Sequence, residues 1–317
     1  MTHRGAILIA SGPWDPQPWL DAVRAVEPGR EVFVWPNLPE PGAIHYVMAW
    51  QPPLAALQGL PHLKAIFSLG AGVEHIVVHD DLPDVPTCRV VDDDLTRRMT
   101  EWVVLQVLIH HRRQLTYLHQ QRERVWRERS QPAASEVRVG IMGLGVLGRA
   151  AAAAVTALGF QVAGWSRQPK SIDGIETFAG PGERDAFLAR TDILVCLLPL
   201  TPATRGILAM PLFETLARDG RLQGPVLINA GRGGLQVEAD IIDALERDIL
   251  AGASLDVFET EPLDRDSPLW ALDNLVITPH CAAWSNPEAL THLILDQIRA
   301  YEAGEPLRHV VDAEAGY

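Results

Sequence analysis

The chain has 317 residues, 47% of them hydrophobic and 21% charged, which is enough for two domains with cores of their own. Its formal net charge of -13 argues against nucleic acid or an anionic membrane as a partner, and makes binding of any anionic substrate depend on a local cation. The three cysteines, Cys88, Cys196 and Cys281, are odd in number and lack C-x-x-C spacing, which argues against a disulfide framework or a zinc site and fits a reducing cytoplasm.

The first apolar run, residues 6–10, is too short for a signal-peptide core and lacks a small-residue cleavage site, so it reads as a strand. No apolar run approaches the roughly 18 residues that a membrane helix needs. Further buried strands are expected at 32–35, 46–50 and 65–69, with short helices at 18–26 and 54–60. Such alternation predicts a parallel sheet covered on both faces, in a first α/β series that runs to about residue 91. One long helix is expected over 96–127. Its Arg112, Arg113, Arg122, Arg124 and Arg127, with Arg129 just beyond, are interleaved with Glu123 and Glu128, and read as a solvated face rather than a nucleic-acid patch. Residues 130–136, polar and containing Pro132, read as a linker. A second series follows, with strands at 137–142, 161–165, 193–198, 226–229, 251–257 and 275–278, a helix at 146–158 and a last helix at about 287–303. The fold class is therefore α/β, with two parallel-sheet domains.

The strand at 137–142 leads into G-x-G-x-x-G at the head of an alanine-rich helix. Gly143 permits a tight turn, Gly145 lets backbone approach a pyrophosphate, and Gly148 allows close helix–strand packing. The amides at Gly145, Val146 and Leu147 then face a phosphate, with the helix dipole behind them. In this strand–turn–helix setting the motif reads as dinucleotide binding, the alternatives being a merely structural turn or the cofactor turn of a methyltransferase. An NAD enzyme carries Asp or Glu about 20 residues on, at the end of the next strand. Here that strand ends Trp165-Ser166-Arg167, and Arg167, with Ser166 and Lys170, suits a ribose 2′-phosphate through charge-assisted hydrogen bonds. NADPH is the expected cofactor and NADH the less favoured one.

Three ionisable residues follow successive C-terminal strands: Arg232, Glu261 and His280. Ligands of open parallel sheets bind at the carboxyl ends of strands. Reduction of a keto group needs a hydride on carbon and a proton on oxygen. A histidinium supplies the proton near neutral pH, a carboxylate beside it favours and orients the charged ring, and an arginine polarises the carbonyl and binds a substrate carboxylate. Taken singly, each has a plainer reading as a surface histidine, a loop acid or a structural ion pair.

Across nearly the whole chain these residues resemble the D-isomer-specific 2-hydroxyacid dehydrogenase family, and within it the glyoxylate/hydroxypyruvate reductase A type. The likeness is carried by Leu69-Gly-Ala-Gly-Val73, Gly143-Leu-Gly-Val-Leu-Gly148, Trp165-Ser-Arg167, Asn229-Ala-Gly-Arg232-Gly233, Leu255-Asp-Val-Phe258 with Glu261-Pro-Leu263, Ser267-Pro-Leu-Trp270, Thr278-Pro-His280 and the terminal Gly316-Tyr317. It implies two Rossmann-like domains: a flavodoxin-like substrate domain over 1–100 and 285–317, and a dinucleotide-binding domain over 101–284. It implies His280 as proton donor, Glu261 as its partner and Arg232 as substrate anchor. It further implies that the amides of Leu69, Gly70, Ala71 and Gly72 meet the substrate carboxylate, and that Leu198, Pro199, Ala230 and Asp256 line the cofactor. A small 2-oxo acid such as glyoxylate or hydroxypyruvate is the implied substrate, and a cytoplasmic homodimer the implied form. A bulkier oxo acid, or a dinucleotide-sensing protein without turnover, are the rival readings. Trp50 and Trp284 are expected at the substrate, Trp50 with plain core as its alternative. Glu74-His75 and Gln51 depart from the family pattern and bear on substrate preference.

Overall fold

The computed structural model describes residues 4–38, 40–79 and 81–312. The chain forms two compact units, Met1–Leu95 with Ser285–Tyr317, and Thr96–Trp284. The terminal Gly316-Tyr317 lies outside the described residues.

The first unit is built on β1 (Ala6–Ala10), α1 (Gln17–Val26), β2 (Val32–Val34), β3 (Ile44–Ala49), β4 (Ala65–Ser68), the short α2 (Glu74–Val77) and β5 (Thr87–Cys88). All five strands are parallel, in the order β2-β1-β3-β4-β5. That is the flavodoxin-like arrangement, in which both faces of the central strands are covered. Ile7, Leu8, Ile9, Val47 and Met48 are accordingly buried whichever face they point to. The helix expected at 54–60 is a single 3-10 turn, Leu54–Ala56.

The long helix expected over 96–127 is two helices, α3 (Asp93–His111) and α4 (Gln114–Arg122). Between them Arg113 takes a left-handed φ of 55°. The break is held from outside: Arg113 Nε donates to the Ser130 carbonyl and Arg112 Nε to Gln131 Oε1, so the stretch read as a linker folds back on the corner. That stretch ends in a 3-10 turn, Ala134–Glu136.

The second unit continues with β6 (Arg138–Met142), α5 (Val146–Ala157), β7 (Gln161–Ser166), β8 (Glu176–Ala179), α6 (Gly180–Ala189), β9 (Ile193–Cys196), α7 (Met210–Thr215), β10 (Val226–Asn229), α8 (Glu238–Glu246), β11 (Gly252–Leu255) and β12 (Leu275–Ile277). Its seven parallel strands run β12-β11-β10-β9-β6-β7-β8. One apolar cluster containing Phe187, Leu194 and Leu227 covers one face, and a second containing Val103, Val139 and Ala152 covers the other. The chain leaves β6 toward β7 and later returns to β9 on the opposite side. The carboxyl end of β6 is therefore the switch point at which such sheets bind ligands. No helix among the described residues is long and apolar enough to cross a membrane.

The last helix, α9 (Pro287–Glu302), packs on α1 and completes the first unit. Its Asn286 cap accepts from the amides of Glu288 and Ala289. The junction is ionic as well as apolar. The Arg30 guanidinium, 4% exposed, meets Glu27, Glu302 and the Gly5 carbonyl, while Arg299 reaches Glu27 at 3.0 Å. Burial acts to raise the Glu302 carboxyl, but the Arg30 hydrogen bond and charge outweigh it and hold the group below its ordinary range. Its contribution to stability is thus complete above the ordinary carboxylate pKa and is lost as pH falls through the lowered folded value. Arg30→Ala strips a buried ion pair of one partner and should cost about 3 kcal/mol, the lower end for such a removal. Chemical denaturation at neutral pH would show it, and the deficit should shrink in acid as Glu302 protonates.

Candidate active site

The glycine turn follows β6 directly. Gly143 has a φ of 103°, and a Cβ there would fall 2.7 Å from the Leu197 carbonyl oxygen. At Gly148 a Cβ would fall 1.8 Å from the Gly143 carbonyl, so glycine alone lets α5 start this close to the strand. Gly145 is the N-cap of α5. No side chain caps the helix there, and a Cβ at Gly145 would meet nothing within 4 Å. Nothing therefore crowds the start of α5 at Gly145, at the switch point. This cradle fits a pyrophosphate: oriented N–H groups, a positive helix end and backbone approach without a side chain.

At the end of β7, Ser166 is buried and its hydroxyl donates to the Gln168 carbonyl. Lys170 Nζ donates to the Leu144 carbonyl, tying this loop back to the glycine turn; burial, then the charge of Arg149, lowers its pKa. Arg167 is exposed just beyond β7, a strand that contains no Asp or Glu. Arg149, on the first turn of α5, is a cation that the motif reading passed over. Beyond β9, Leu198 is buried, and the Pro199 carbonyl accepts from Thr204 Oγ1 at 2.7 Å, which sets the course of that loop. Ala230, at the tip of β10, donates its amide to Cys196.

The second unit brings its three chemical residues to the ends of adjacent strands. Arg232 follows β10, where Asn229 folds the chain by accepting from the Gly231 amide and donating to the Arg232 carbonyl. Gln236 Nε2 bonds the Val257 carbonyl and so clips this loop to the one after β11. Glu261 accepts from the Phe258 amide at 3.0 Å through Oε1 and from His280 Nδ1 at 2.7 Å through Oε2. Burial pushes the Glu261 carboxyl up, but the His280 hydrogen bond and charge, the Phe258 amide and the Arg232 charge bring it below its ordinary range. It is therefore ionised at neutral pH beside the imidazole, with Arg232 close enough to be felt.

Asp256 controls where His280 stands. Its carboxylate is 2% exposed and accepts from Thr278 Oγ1 (2.6 Å), the Cys281 amide (3.0 Å) and the Ala282 amide (2.9 Å), while its carbonyl takes the His280 amide (2.8 Å). Burial raises its pKa against the pull of these donors. Thr278 in turn accepts from Trp102 Nε1 of α3 at 3.2 Å. The sequence placed Asp256 at the cofactor. The geometry makes it first a staple for the loop that carries His280; Thr278 stands in the sequence reading only as part of the Thr278-Pro-His280 motif, and Trp102 does not appear there. Trp284, in the same unit, is 56% exposed, with the Arg98 guanidinium 5.7 Å from its ring centroid.

The remaining candidates lie in the first unit. Trp50 is 6% exposed and stacked on Trp14, so it is core as well as a site candidate. In the turn after β4 the Leu69 amide bonds the Ala49 carbonyl and the Gly70 amide bonds Ser68 Oγ. Of the four amides expected at a substrate carboxylate, those of Leu69 and Gly70 thus have partners within the unit, and the Ser68 hydroxyl also donates to the Gly72 carbonyl at 2.7 Å.

A model of the D-isomer specific 2-hydroxyacid dehydrogenase NAD-binding domain matches residues 104–282. Glyoxylate/hydroxypyruvate reductase A of Serratia proteamaculans is 40% identical over 308 residues, 94% of this chain and 96% of that protein. Among solved structures, an NADPH-dependent glyoxylate/hydroxypyruvate reductase from Sinorhizobium meliloti, in complex with NADP and sulfate, is 47% identical with a TM-score of 0.94, over 99% of this chain and 100% of that one. A probable 2-hydroxyacid dehydrogenase from Rhizobium etli, in complex with NADP, HEPES and tartaric acid, has the same identity, TM-score and coverage.

Two variants test this geometry. Gly145→Val puts its side chain into open space, so the fold should survive while NADPH affinity, read by fluorescence titration, falls by about tenfold or more as the cradle fills. Thr278→Val leaves a buried carboxylate short of one donor and should destabilise the unit by about 1.5–3 kcal/mol, the worth of a hydrogen bond to a charged group, measured in denaturant.

Proposed function

The chain belongs to the D-isomer specific 2-hydroxyacid dehydrogenase family, and on that footing we propose that it reduces small 2-oxo acids, glyoxylate and hydroxypyruvate, to their 2-hydroxy acids with NADPH. The observation that carries the reading is the His280–Glu261 pair at 2.7 Å, with Arg232 acting on the same carboxylate, in the unit that holds the glycine turn. Relatives over nearly the full length bear that activity in their names, and two similar structures hold NADP.

The second unit is the cofactor domain, with the phosphates on the amides of α5. Arg167, with Ser166 and Lys170 shaping its loop, meets the 2′-phosphate, and Leu198, Pro199, Ala230 and Asp256 border the remainder. The first unit is the substrate domain, its Ala71 and Gly72 amides suited to a substrate carboxylate. Bound NADPH supplies a hydride to the keto carbon. His280, its Nδ1 engaged by Glu261, delivers a proton from Nε2 to the keto oxygen. The tautomer and ring orientation follow from that partner. The charge of Glu261 stabilises the imidazolium until the proton leaves, and Arg232 stabilises negative charge developing on the oxygen. Hydride plus proton balances ketone to alcohol without a metal. Trp284 and Trp50 border the substrate. A cytoplasmic homodimer completes the proposal, in keeping with three free thiols.

The test is NADPH oxidation across glyoxylate, hydroxypyruvate and phenylpyruvate, repeated with NADH. Turnover of the two small acids, with kcat/KM higher for NADPH, is expected. Preference for phenylpyruvate, or NADPH binding without turnover, contradicts the proposal. His280→Asn should lose at least about 100-fold in kcat, the low end for a general acid, with NADPH affinity unchanged.

A further inference from the structure

By its place in the sequence Lys170 belongs with Arg167 at a ribose 2′-phosphate. In the structure its ammonium is engaged elsewhere: Nζ donates to the Leu144 carbonyl at 2.8 Å, across 26 residues of chain. Leu144 is the middle residue of Gly143-Leu144-Gly145, and it is wedged in place. Its side chain is 1% exposed, and a Cβ on Gly164 of β7 would collide with it. The Gly143 amide before it bonds the Trp165 carbonyl at 2.9 Å. The Lys170 end is tied down as well. Its own carbonyl accepts from Thr177 Oγ1 at 2.6 Å, and the Ser166 hydroxyl donates to the Gln168 carbonyl at 2.8 Å. The loop after β7 and the glycine turn are thus stapled together within the second unit.

A peptide group is planar and trans, so its C=O and N–H point in opposite directions. The Leu144 carbonyl and the Gly145 amide belong to one such group. With the carbonyl drawn to Lys170, the Gly145 N–H is aimed away from it. Gly145 is exposed, and no acceptor among the described residues takes its amide. A cation on the carbonyl also polarises the group, which makes the N–H a stronger donor. We infer that Lys170 is a positioning residue for the phosphate turn: through the Leu144 carbonyl it sets the Gly145 amide for the pyrophosphate, rather than reading the 2′-phosphate that separates NADPH from NADH. This rests on the reductase reading above and deepens it by dividing the cations according to task. Arg167 discriminates between the two cofactors, and Lys170 serves the diphosphate that both carry.

The readouts are the dissociation constants of NADPH and NADH, from fluorescence titration of the full chain, with KM for each cofactor and kcat at saturating cofactor. Lys170→Met should weaken both cofactors by the same factor, about tenfold, the lower end for a hydrogen bond made by a charged group. The ratio of the two constants should stay at its wild-type value. KM should rise while kcat holds, because neither hydride nor proton passes through Lys170. Lys170→Arg, which keeps a charged donor, should restore most of the loss. Lys170→Gln, a neutral donor, gives a second variant should the methionine fail to fold, and it too should act equally on both cofactors. Arg167→Gln provides the contrast: NADPH weakens and NADH does not. Loss of NADPH affinity alone in a folded Lys170 variant overturns the inference, since it makes Lys170 a 2′-phosphate ligand. A change of less than about threefold for both cofactors, well short of one charged hydrogen bond, overturns it too. A wild type that binds neither dinucleotide would instead overturn the reductase reading.

Discussion

One buried carboxylate, Asp256, holds the chemistry of the second unit in place. A charge removed from water is tolerated only when hydrogen bonds replace its hydration. Asp256 obtains three, all from residues just beyond β12: Thr278, Cys281 and Ala282. The need to solvate one anion therefore dictates the path of residues 278–282. It also explains how His280 sits at a φ of 51°, a left-handed conformation that costs a non-glycine residue about 1 kcal/mol and persists only where the surroundings over-determine it. The Trp102 indole extends the same chain of hydrogen bonds back to α3, so a helix far from the loop in sequence shares in placing the imidazole.

The fold supplies the rest of the alignment. With all seven strands parallel, the carboxyl ends of β6, β9, β10, β11 and β12 lie along one edge of the sheet. Residues scattered over 143–280 then share that edge: the glycine turn at β6, Leu198 beyond β9, Arg232 beyond β10, Asp256 and Glu261 beyond β11, and His280 beyond β12. The cofactor cradle and the acid–base pair thus belong to one continuous rim, and loop hydrogen bonds such as Gln236 to the Val257 carbonyl and Glu261 to the Phe258 amide join neighbouring loops into a single support.

What could be read from the chain alone divides along a physical line. The glycine turn was legible because its demands are local: a positive φ at Gly143 and no room for a Cβ at Gly148 leave one residue type. The order Arg, Glu, His after successive strands was legible because each strand announces itself as an apolar run. The corner at Arg113 was not, since no glycine or proline marks it and it is held by Ser130 and Gln131, partners remote in sequence. The edge strand β8 escaped because its residues are only partly buried and show no apolar run. The loss of the Leu69 and Gly70 amides depends on strand register and on a serine hydroxyl, and the stapling by Asp256 on donors more than 20 residues away. Local chemistry was readable; hydrogen bonds between distant segments required coordinates.

The charge distribution shows how such a chain can hold anions at all. With a net charge of -13 its overall field repels both a dinucleotide phosphate and an oxo acid, so long-range steering does not assist their approach. In the proposed reading, attraction comes from groups within a few ångströms, most of them neutral backbone. The amides at the start of α5, and those of Ala71 and Gly72, present positive dipole ends without adding a titratable charge. In that reading two arginines add a full charge, Arg167 just beyond β7 and Arg232, whose charge reaches Glu261. Beside His280 stands the carboxylate of Glu261, whose Oε2 lies 2.7 Å from Nδ1 and fixes which way the ring faces.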